Sequence, residues 1–121
     1  MGRENLIYNL SKAFALRIIK LNRFLKQERH EQLMSYQIYK SGTSIGANVS
    51  ESIHAQSKAD FISKLEIALK EARETKYWLE LLHESETITE TQFESLVNDN
   101  NVLIGTLINI IKKAKEISDS N

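Results

Sequence analysis

Apolar residues recur along the chain at alternating spacings of three and four, which is the period of one face of an α-helix. The pattern covers four segments: residues 4–27, 32–55, 58–84 and 90–117. In the first segment the repeating positions are Ile7, Leu10, Phe14, Ile18, Leu21 and Leu25. In the fourth they are Phe93, Leu96, Asn100, Leu103, Leu107, Ile110, Ala114 and Ile117. Each segment predicts a long helix, close to 40 Å at about 1.5 Å per residue.

Polar stretches separate the four segments, and two of these stretches carry helix-start signals. Ser57 precedes Asp60 by three positions, and Thr89 precedes Gln92 by three, which is the spacing of a capping box. The chain contains no proline and only four glycines, so little interrupts the helices. Short connections place consecutive helices side by side in opposite directions. The sequence therefore predicts one all-α domain, residues 1–121, folded as an antiparallel up-down-up-down four-helix bundle with long helices.

The composition excludes several kinds of chemistry. No cysteine is present, which rules out disulfides, thiolate catalysis and cysteine-bound metals. His30, His54 and His83 lie far apart in the sequence and share no metal-ligand spacing. We therefore predict no catalytic residue, cofactor or metal, and we expect a protein that is not an enzyme. No apolar run reaches the roughly 18 residues of a membrane span, and the N-terminus lacks an apolar signal core, so we expect a cytoplasmic location.

The third and fourth segments carry more large apolar residues than one buried stripe needs. The additional positions that we assign to a subunit interface are Trp78, Leu81, Val97, Ile104, Ile108 and Ile111. Adjacent apolar side chains left in water favour association, since burying one of them contributes about 1.5 to 3 kcal/mol. We therefore expect a homo-oligomer. The alternative is a monomer with a core wide enough to contain these side chains.

Small residues fill the middle of the second segment, in the run SGTSIGANVSE at residues 41–51. Glycine inside a helix costs about 1 kcal/mol relative to alanine, so Gly42 and Gly46 predict close packing against a helix of the same or another subunit. A kink or a ligand-facing groove is the alternative. Ile45 belongs to the same motif. Asn48 and Glu51 share a helical face beside it, where they either hydrogen-bond across the helix contact or form a surface for a partner or nucleic acid.

Asn100 is the polar residue in the apolar stripe of the fourth segment. A single Asn in a helical core most often fixes the register of the helices or the oligomeric state. We expect this structural role for Asn100 rather than a catalytic one.

The net charge is zero, but the two halves of the chain differ. Residues 1–60 hold nine Lys/Arg and five Asp/Glu, whereas residues 61–121 hold seven and eleven. Overall neutrality argues against strong nonspecific nucleic-acid binding. On the first segment, the basic residues that would form a surface for phosphates or a partner are Lys12, Arg17, Lys20, Arg23 and Lys26. The alternative interpretation is charge matching between helices or between subunits.

Four stretches together resemble a known family. They are SGTSIGANVSE at residues 41–51, AQSKADF at 55–61, LEIALKEA at 65–72 and YWLE at 77–80. On these residues the chain resembles, over nearly all of its length, the bacterial four-helix-bundle family that is also called the 23S ribosomal RNA intervening-sequence proteins. The resemblance implies mainly structural roles for the positions that recur in that family, which are Ile45, Asn48, Glu51, Asp60 and Phe61.

The resemblance also implies assembly into a homopentamer with a central channel, and it carries over no catalytic residues. Related proteins include the accessory variability determinant of diversity-generating retroelements, which looks like a nucleic-acid-binding partner of a reverse transcriptase and has a strongly basic surface. The zero net charge of this chain departs from that pattern. Two hypotheses follow. The chain is either an oligomeric adaptor that binds RNA, DNA or a reverse-transcriptase-like protein through its basic first helix, or a scaffold that binds only protein.

Overall fold

The computed structural model describes residues 2–119, and the side chains of residues 5–117. It contains four α-helices, which are α1 (Gly2–Glu28), α2 (Leu33–Ile53), α3 (Lys58–Glu84) and α4 (Glu90–Asp119). No strand occurs within these described residues. Each helix packs against the one before it in the chain, so the helices run up, down, up and down. The predicted all-α four-helix bundle is confirmed.

The second helix is shorter than the sequence predicts, whereas the third has the predicted ends. α2 ends at Ile53 instead of residue 55, because its last turn closes with hydrogen bonds between residues three apart. The His54 amide donates to the Glu51 carbonyl at 3.1 Å, and the Ala55 amide donates to the Ser52 carbonyl at 3.2 Å. Such bonds between residues three apart commonly close the last turn of a helix and satisfy its free carbonyl groups.

The predicted capping box is complete at the start of α4, whereas at the start of α3 only its first bond forms, because Asp60 Oδ2 accepts from the Gln56 amide instead of the Ser57 amide. At the start of α3, the Asp60 amide donates to Ser57 Oγ at 3.0 Å. At the start of α4, the Gln92 amide donates to Thr89 Oγ1 at 3.1 Å, and the Thr89 amide donates to Gln92 Oε1 at 2.9 Å. These bonds satisfy amide groups that the first turn of a helix leaves unpaired. The local sequence therefore fixes where α3 and α4 begin.

The apolar stripes of the four helices form a single core. Its largest fully buried side chains are Phe14, Ile7, Ile18, Leu25, Ile38, Ile45, Leu65, Leu79, Leu82, Leu103, Leu107 and Val49. Packing is close between α1 and α2, between α2 and α3, and between α3 and α4, but it is looser between α1 and α4. The seam between α1 and α4 is therefore the open side of the bundle.

Most of the apolar residues assigned to a subunit interface pack inside the chain instead. Ile111 is only 7% exposed and belongs to the core, so its assignment to an interface is wrong. Ile108 is the exposed member of the set, at 40%. α3 and α4 use most of these positions to widen their shared core, because burial removes the same apolar area from water as association does. The partly buried members are Trp78, Leu81, Val97 and Ile104.

Asn100 lies in the core between α3 and α4. Its Nδ2 donates to the Ala72 carbonyl at 2.9 Å. Its Oδ1 is buried and has no hydrogen-bond partner among the described residues. The side chain thus ties α4 to α3 of the same chain, and the unpaired oxygen costs about 1 to 3 kcal/mol.

Two loops meet at one end of the bundle. His30, between α1 and α2, has a φ of 52°, and Glu86, between α3 and α4, has a φ of 61°. Arg29 joins the two loops, since its Nε donates to the Thr87 carbonyl at 2.9 Å and its Nη2 donates to the Glu86 carbonyl at 3.0 Å. One side chain therefore connects the α1–α2 pair of helices to the α3–α4 pair.

Candidate functional site

The charges of the bundle are unevenly placed. Between residues 5 and 27, α1 carries five Lys/Arg and no Asp/Glu, and between residues 33 and 50, α2 carries one Lys and no Asp/Glu. Because α1 and α2 are neighbours, these two stretches form one side of the bundle. α3 and α4 each carry more Asp/Glu than Lys/Arg. The zero net charge therefore combines a basic side, formed by α1 and α2, with an acidic one.

Arg17 belongs to the basic set by sequence, but it binds within the chain. Its Nη1 donates to Asp99 Oδ2 at 2.7 Å and to the Ser95 carbonyl at 3.2 Å, and its Nη2 donates to Ser95 Oγ at 2.9 Å. These bonds hold α1 to α4 across the open seam. Arg17 therefore follows the alternative interpretation, charge matching between helices, and is not a free ligand for phosphate.

The other basic residues of α1 face solvent. Lys20, Arg23 and Lys26 are exposed, and no ion pair or side-chain hydrogen bond engages them within the described part of the chain. Their spacing of three places them in one diagonal row across the outer face of α1. Lys12 lies 5.8 Å from the centre of the Tyr8 ring, near the outer limit of a cation–π contact. The row of three is thus the uncommitted cationic surface of α1.

One end of this row lies in a groove between α1 and α2. The groove has a volume of about 530 Å³, and its lining residues are Ile19, Asn22, Arg23, Lys26, Gln32, Tyr36 and Tyr39. Tyr36 is 60% exposed and Tyr39 is 41% exposed. The groove therefore combines two accessible aromatic rings with two unpaired cations.

A partly buried polar pair fixes the two helices beside this groove. Asn22 Nδ2 donates to Ser35 Oγ at 2.7 Å and to the Ser35 carbonyl at 3.2 Å, and Ser35 Oγ donates to the Asn22 carbonyl at 3.3 Å. Asn22 precedes Arg23 in the chain, and Ser35 precedes Tyr36. The pair therefore holds the backbone positions of the cation and the ring relative to each other.

A second, smaller groove of about 330 Å³ lies between α1 and α4. Two of its lining residues, Phe24 and Leu96, belong to the packed interior or lie against it. Arg17, which also lines it, is already bound to α4. Lys20 is then its remaining unpaired cation, so this groove is the weaker candidate.

Gly42 and Gly46 face α1 of the same chain. A Cβ atom at Gly42 would lie 2.7 Å from Ile18 Cγ1 and 2.9 Å from Ile18 Cγ2. At Gly46 it would lie 3.4 Å from the Ser11 carbonyl oxygen, which is an ordinary van der Waals contact. Ile45, from the same motif, is fully buried. The close contact thus joins α1 and α2, and Gly42 is the residue that it requires.

Asn48 and Glu51 make different contacts, Asn48 within α2 and Glu51 with α3. The expectation that they hydrogen-bond across the helix contact is wrong for Asn48, whose Nδ2 donates at 2.9 Å to the Ser44 carbonyl of its own helix. Glu51 does reach α3, where its Oε1 lies 3.9 Å from Lys64 Nζ, and Lys64 Nζ is also 3.6 Å from Asp60 Oδ1. This solvent-accessible network contributes at most about 1 kcal/mol per pair, and it joins the end of α2 to the start of α3.

Lys40, the basic residue in the middle of α2, lies close to an acidic group of α3. Burial raises the pKa of the Glu71 carboxyl, and the neighbouring Glu74 raises this pKa further, whereas Lys70 and Lys40 lower it. The charge of Lys40 is therefore partly offset by Glu71. For this reason the candidate site contains the cations of α1 without Lys40.

Neither a metal cluster nor a membrane helix occurs in the described residues. Between residues 5 and 117, no group of three or more His, Asp or Glu side chains is placed to hold a metal ion. Between residues 2 and 119, no helix combines the length and apolar character that crossing a membrane requires.

The sequence pointed to the cations of the α1–α2 groove but not to its rings. Tyr36 and Tyr39 lie three residues apart and outside the apolar stripe of α2, so they share an exposed helical face. This spacing is the signal by which they could have been found. The Asn22–Ser35 pair gives no comparable signal, because nothing local relates residues on two different helices.

The chain has relatives that share its sequence pattern and its fold. The pattern of the 23S rRNA-intervening sequence protein family matches residues 3–109. Among solved structures, the chain is similar to a protein of unknown function from the S23 ribosomal protein family of Bacteroides thetaiotaomicron VPI-5482. The two chains are 55% identical, with a TM-score of 0.90 over 91% of this chain and 98% of that chain. No curated protein matches the chain. Because the family pattern spans all four helices, the chain belongs to the 23S rRNA-intervening sequence protein family.

Proposed function

We propose that this protein is a non-catalytic, self-associating adaptor that binds nucleic acid through the basic side of α1. The observation that carries the proposal is the row formed by Lys20, Arg23 and Lys26, which are exposed and unpaired on a helix without acidic residues between positions 5 and 27. Proteins bind nucleic acid without reading its sequence mainly by placing Lys and Arg side chains against phosphates. A row of three such cations suits a phosphate backbone.

The zero net charge is compatible with this role, because salt screens a bound phosphate from the distant charges of the protein. At an ionic strength of about 0.1 M, exposed charges more than about 10 Å apart are largely screened. Neighbouring helices of a bundle are about 8 to 10 Å apart, so the far surfaces of α3 and α4 lie beyond that distance from the outer face of α1. A phosphate at Arg23 therefore responds mainly to the cations around it.

The non-catalytic part of the proposal rests on the sequence. A reaction site needs a nucleophile, base or metal in mutual reach, and the sequence contains no motif that assembles one. It has no cysteine and no phosphate-binding loop. Binding is the activity that the exposed cations support.

The second candidate function is a scaffold that binds only protein. The observation in its favour lies on α3, where Tyr77 is 53% exposed and Ile67 is 39% exposed. The Tyr77 and Trp78 rings pack edge to face with their centres 5.3 Å apart. Aromatic residues are enriched in protein interfaces. A reverse-transcriptase-like protein is the partner that the family resemblance suggests, and it would fit either function.

Neutralising the α1 row is expected to abolish most of the nucleic-acid binding. In the triple variant Lys20→Gln/Arg23→Gln/Lys26→Gln, affinity for a labelled oligonucleotide should fall about 10-fold or more at low salt. The slope of log affinity against log salt should become shallower by about 2 to 3, since each lost phosphate contact contributes about 0.7 to 0.9. Fluorescence anisotropy across a salt series measures both quantities. Arg17 is left unchanged because it holds α4.

The matched control changes the same residue types on α3. Lys58, Lys70 and Arg73 are exposed, so the variant Lys58→Gln/Lys70→Gln/Arg73→Gln has the same net charge as the α1 variant. It should bind almost as well as the unchanged protein. Equal losses in the two variants would mean that only net charge matters, and absence of binding at low salt would leave the protein-only scaffold as the function.

Self-association is expected to give a particle of about five times the 13.9 kDa protomer mass, the number of subunits that the family resemblance implies. Leu6 is 50% exposed and Val102 is 53% exposed. Both lie on the helical faces that Arg17 and Asp99 bring together, where α1 packs loosely on α4. Light scattering coupled to size exclusion measures the mass. A single protomer at micromolar concentration would contradict this part of the proposal.

A further inference from the structure

We propose that the groove between α1 and α2 binds an unpaired base of a single-stranded nucleic acid. The base stacks on Tyr36 or Tyr39, and the flanking phosphates bind Arg23 and Lys26. This inference rests on the proposed nucleic-acid function. It adds the form of the nucleic acid and the residues that contact the base.

The two tyrosines provide the stacking surface. They lie three residues apart on α2, so their Cβ atoms are about 5 to 6 Å apart on the same helical face. Their exposed fractions of 60% and 41% mean that neither ring is used up by packing inside the chain. The stacking free energy of a base on an aromatic ring is similar for all bases, because every base has a flat π-face. The groove therefore suits a single strand without strict sequence preference.

The opposite wall of the groove supplies the charge. Arg23 and Lys26 lie three residues apart on α1, and no partner within the described part of the chain engages them. The groove volume of about 530 Å³ lies within the roughly 300 to 1,000 Å³ of ordinary ligand sites. Rings on one wall and cations on the other match a nucleotide, which has a flat base and a charged backbone.

Gln32 adds a group that can bond the edge of the base. It is the N-cap residue of α2, yet its side chain makes no capping hydrogen bond. The capping role is taken by Glu31, whose carboxylate accepts from the Met34 amide. The Gln32 carboxamide, which carries both donors and an acceptor, is therefore available at the groove. Base edges are free to accept such bonds when a base is unpaired.

A duplex would not use this groove in the same way. Paired bases are stacked on each other and present only their edges, so they cannot place a face on Tyr36 or Tyr39. The aromatic residue of the α1–α4 groove, Phe24, packs against the core, and its Arg17 is already bound to Asp99. The combination of rings and cations thus favours single strands and is found on the α1–α2 side.

The test removes the rings and keeps the charges. In Tyr36→Leu/Tyr39→Leu, affinity for a labelled single strand of about twelve thymidines should fall about 10-fold or more, while the salt slope should stay unchanged because no phosphate contact is lost. Tyr36→Phe/Tyr39→Phe keeps the rings and should bind like the unchanged protein. Tyr77→Leu is the matched control, since Tyr77 on α3 is 53% exposed. Anisotropy titrations compare the variants with the same strand and with its duplex.

The outcomes separate this inference from the proposed function. If the unchanged protein binds the strand and the α1 row variant loses it, but the Tyr→Leu variant binds normally, the groove inference is overturned and the proposed function stands. A duplex bound as tightly as the single strand also overturns the inference. If no oligonucleotide binds at low salt, both fail.

Crosslinking gives a readout that needs no variant. A thymidine strand carrying 5-iodouracil, irradiated in complex with the unchanged protein, should form its adduct on Tyr36 or Tyr39. Mass spectrometry of the digested complex locates the adduct. An adduct on Tyr77 or Tyr8 alone would place the base elsewhere and contradict the inference.

Discussion

Replacing Asn100 by aspartate is expected to lower the free energy of unfolding by about 3 to 5 kcal/mol at pH 7, because it places an unpaired charge in the core. Asn100 is fully buried, and its Nδ2 donates to the Ala72 carbonyl. An ionised carboxylate at this place would face that carbonyl oxygen with no donor between them. Denaturant unfolding of Asn100→Asp at pH 7 measures the effect.

The effect should depend on pH in a defined direction. Burial raises the pKa of the introduced carboxyl in the folded state, so the folded form binds its proton more tightly than the unfolded form. The penalty is therefore absent below about pH 4 and grows as pH rises through the window between the two pKa values. Measured relative to the unchanged protein, the destabilisation should shrink on acidification.

Two variants serve as controls for Asn100. Asn101 is exposed and adjacent, so Asn101→Asp should change stability by less than about 0.5 kcal/mol. Asn100→Leu removes the unpaired Oδ1 together with the donor and should be neutral or stabilising. Similar losses in Asn100→Asp and Asn101→Asp would show that residue 100 is open to water and would contradict the structure.

Replacing Gly42 by alanine should destabilise the bundle by about 1 to 3 kcal/mol, despite the better helix propensity of alanine. The new methyl would lie 2.7 Å from Ile18 Cγ1 and 2.9 Å from Cγ2. Ile18 is fully buried and its branches start at Cβ, so it has no flexible end that can move aside. Thermal or urea unfolding of Gly42→Ala tests this expectation.

Gly105 and Gly46 provide controls in which alanine should not destabilise the protein. Nothing lies within 4 Å of a Cβ at Gly105, so Gly105→Ala should gain about 0.5 to 1 kcal/mol from propensity alone. Gly46→Ala meets only an ordinary contact and should lose nothing. Introducing Gly42→Ala into an Ile18→Ala background removes the clash, so there it should no longer destabilise. If Gly42→Ala stabilised the otherwise unchanged protein, α1 and α2 would have to be farther apart than the structure shows.

Local patterns were sufficient to predict the architecture. The spacing of residues such as Phe14 and Ile18 defines a helical face wherever the helix packs, and the Thr89 and Gln92 capping box acts within one turn. The helix-start signals place the beginnings of α3 and α4, and short loops leave few ways to arrange four helices. For this reason the bundle and the approximate positions of its helices were predictable from the sequence.

The candidate site was predictable only in part, because its properties depend on contacts between distant residues. In the sequence Arg17 is one of five equivalent cations, but in the fold it is hydrogen-bonded to Asp99, which lies eighty-two positions away. Ile111 reads as surplus apolar surface, yet the width of the α3–α4 contact buries it. No pattern within one helix tells which cations and which apolar residues the neighbouring helix will cover.

The two hydrogen bonds that Arg29 donates to the Glu86 and Thr87 carbonyls hold the α1–α2 loop against the α3–α4 loop at one tip of the bundle. A short loop closes each of these two helical hairpins, and the Arg29 hydrogen bonds fix the position of one loop relative to the other. Neither loop can be lengthened or rerouted without displacing the other. The α2–α3 loop lies at the opposite tip, apart from the two loops that Arg29 joins, so a change in its length would not displace them.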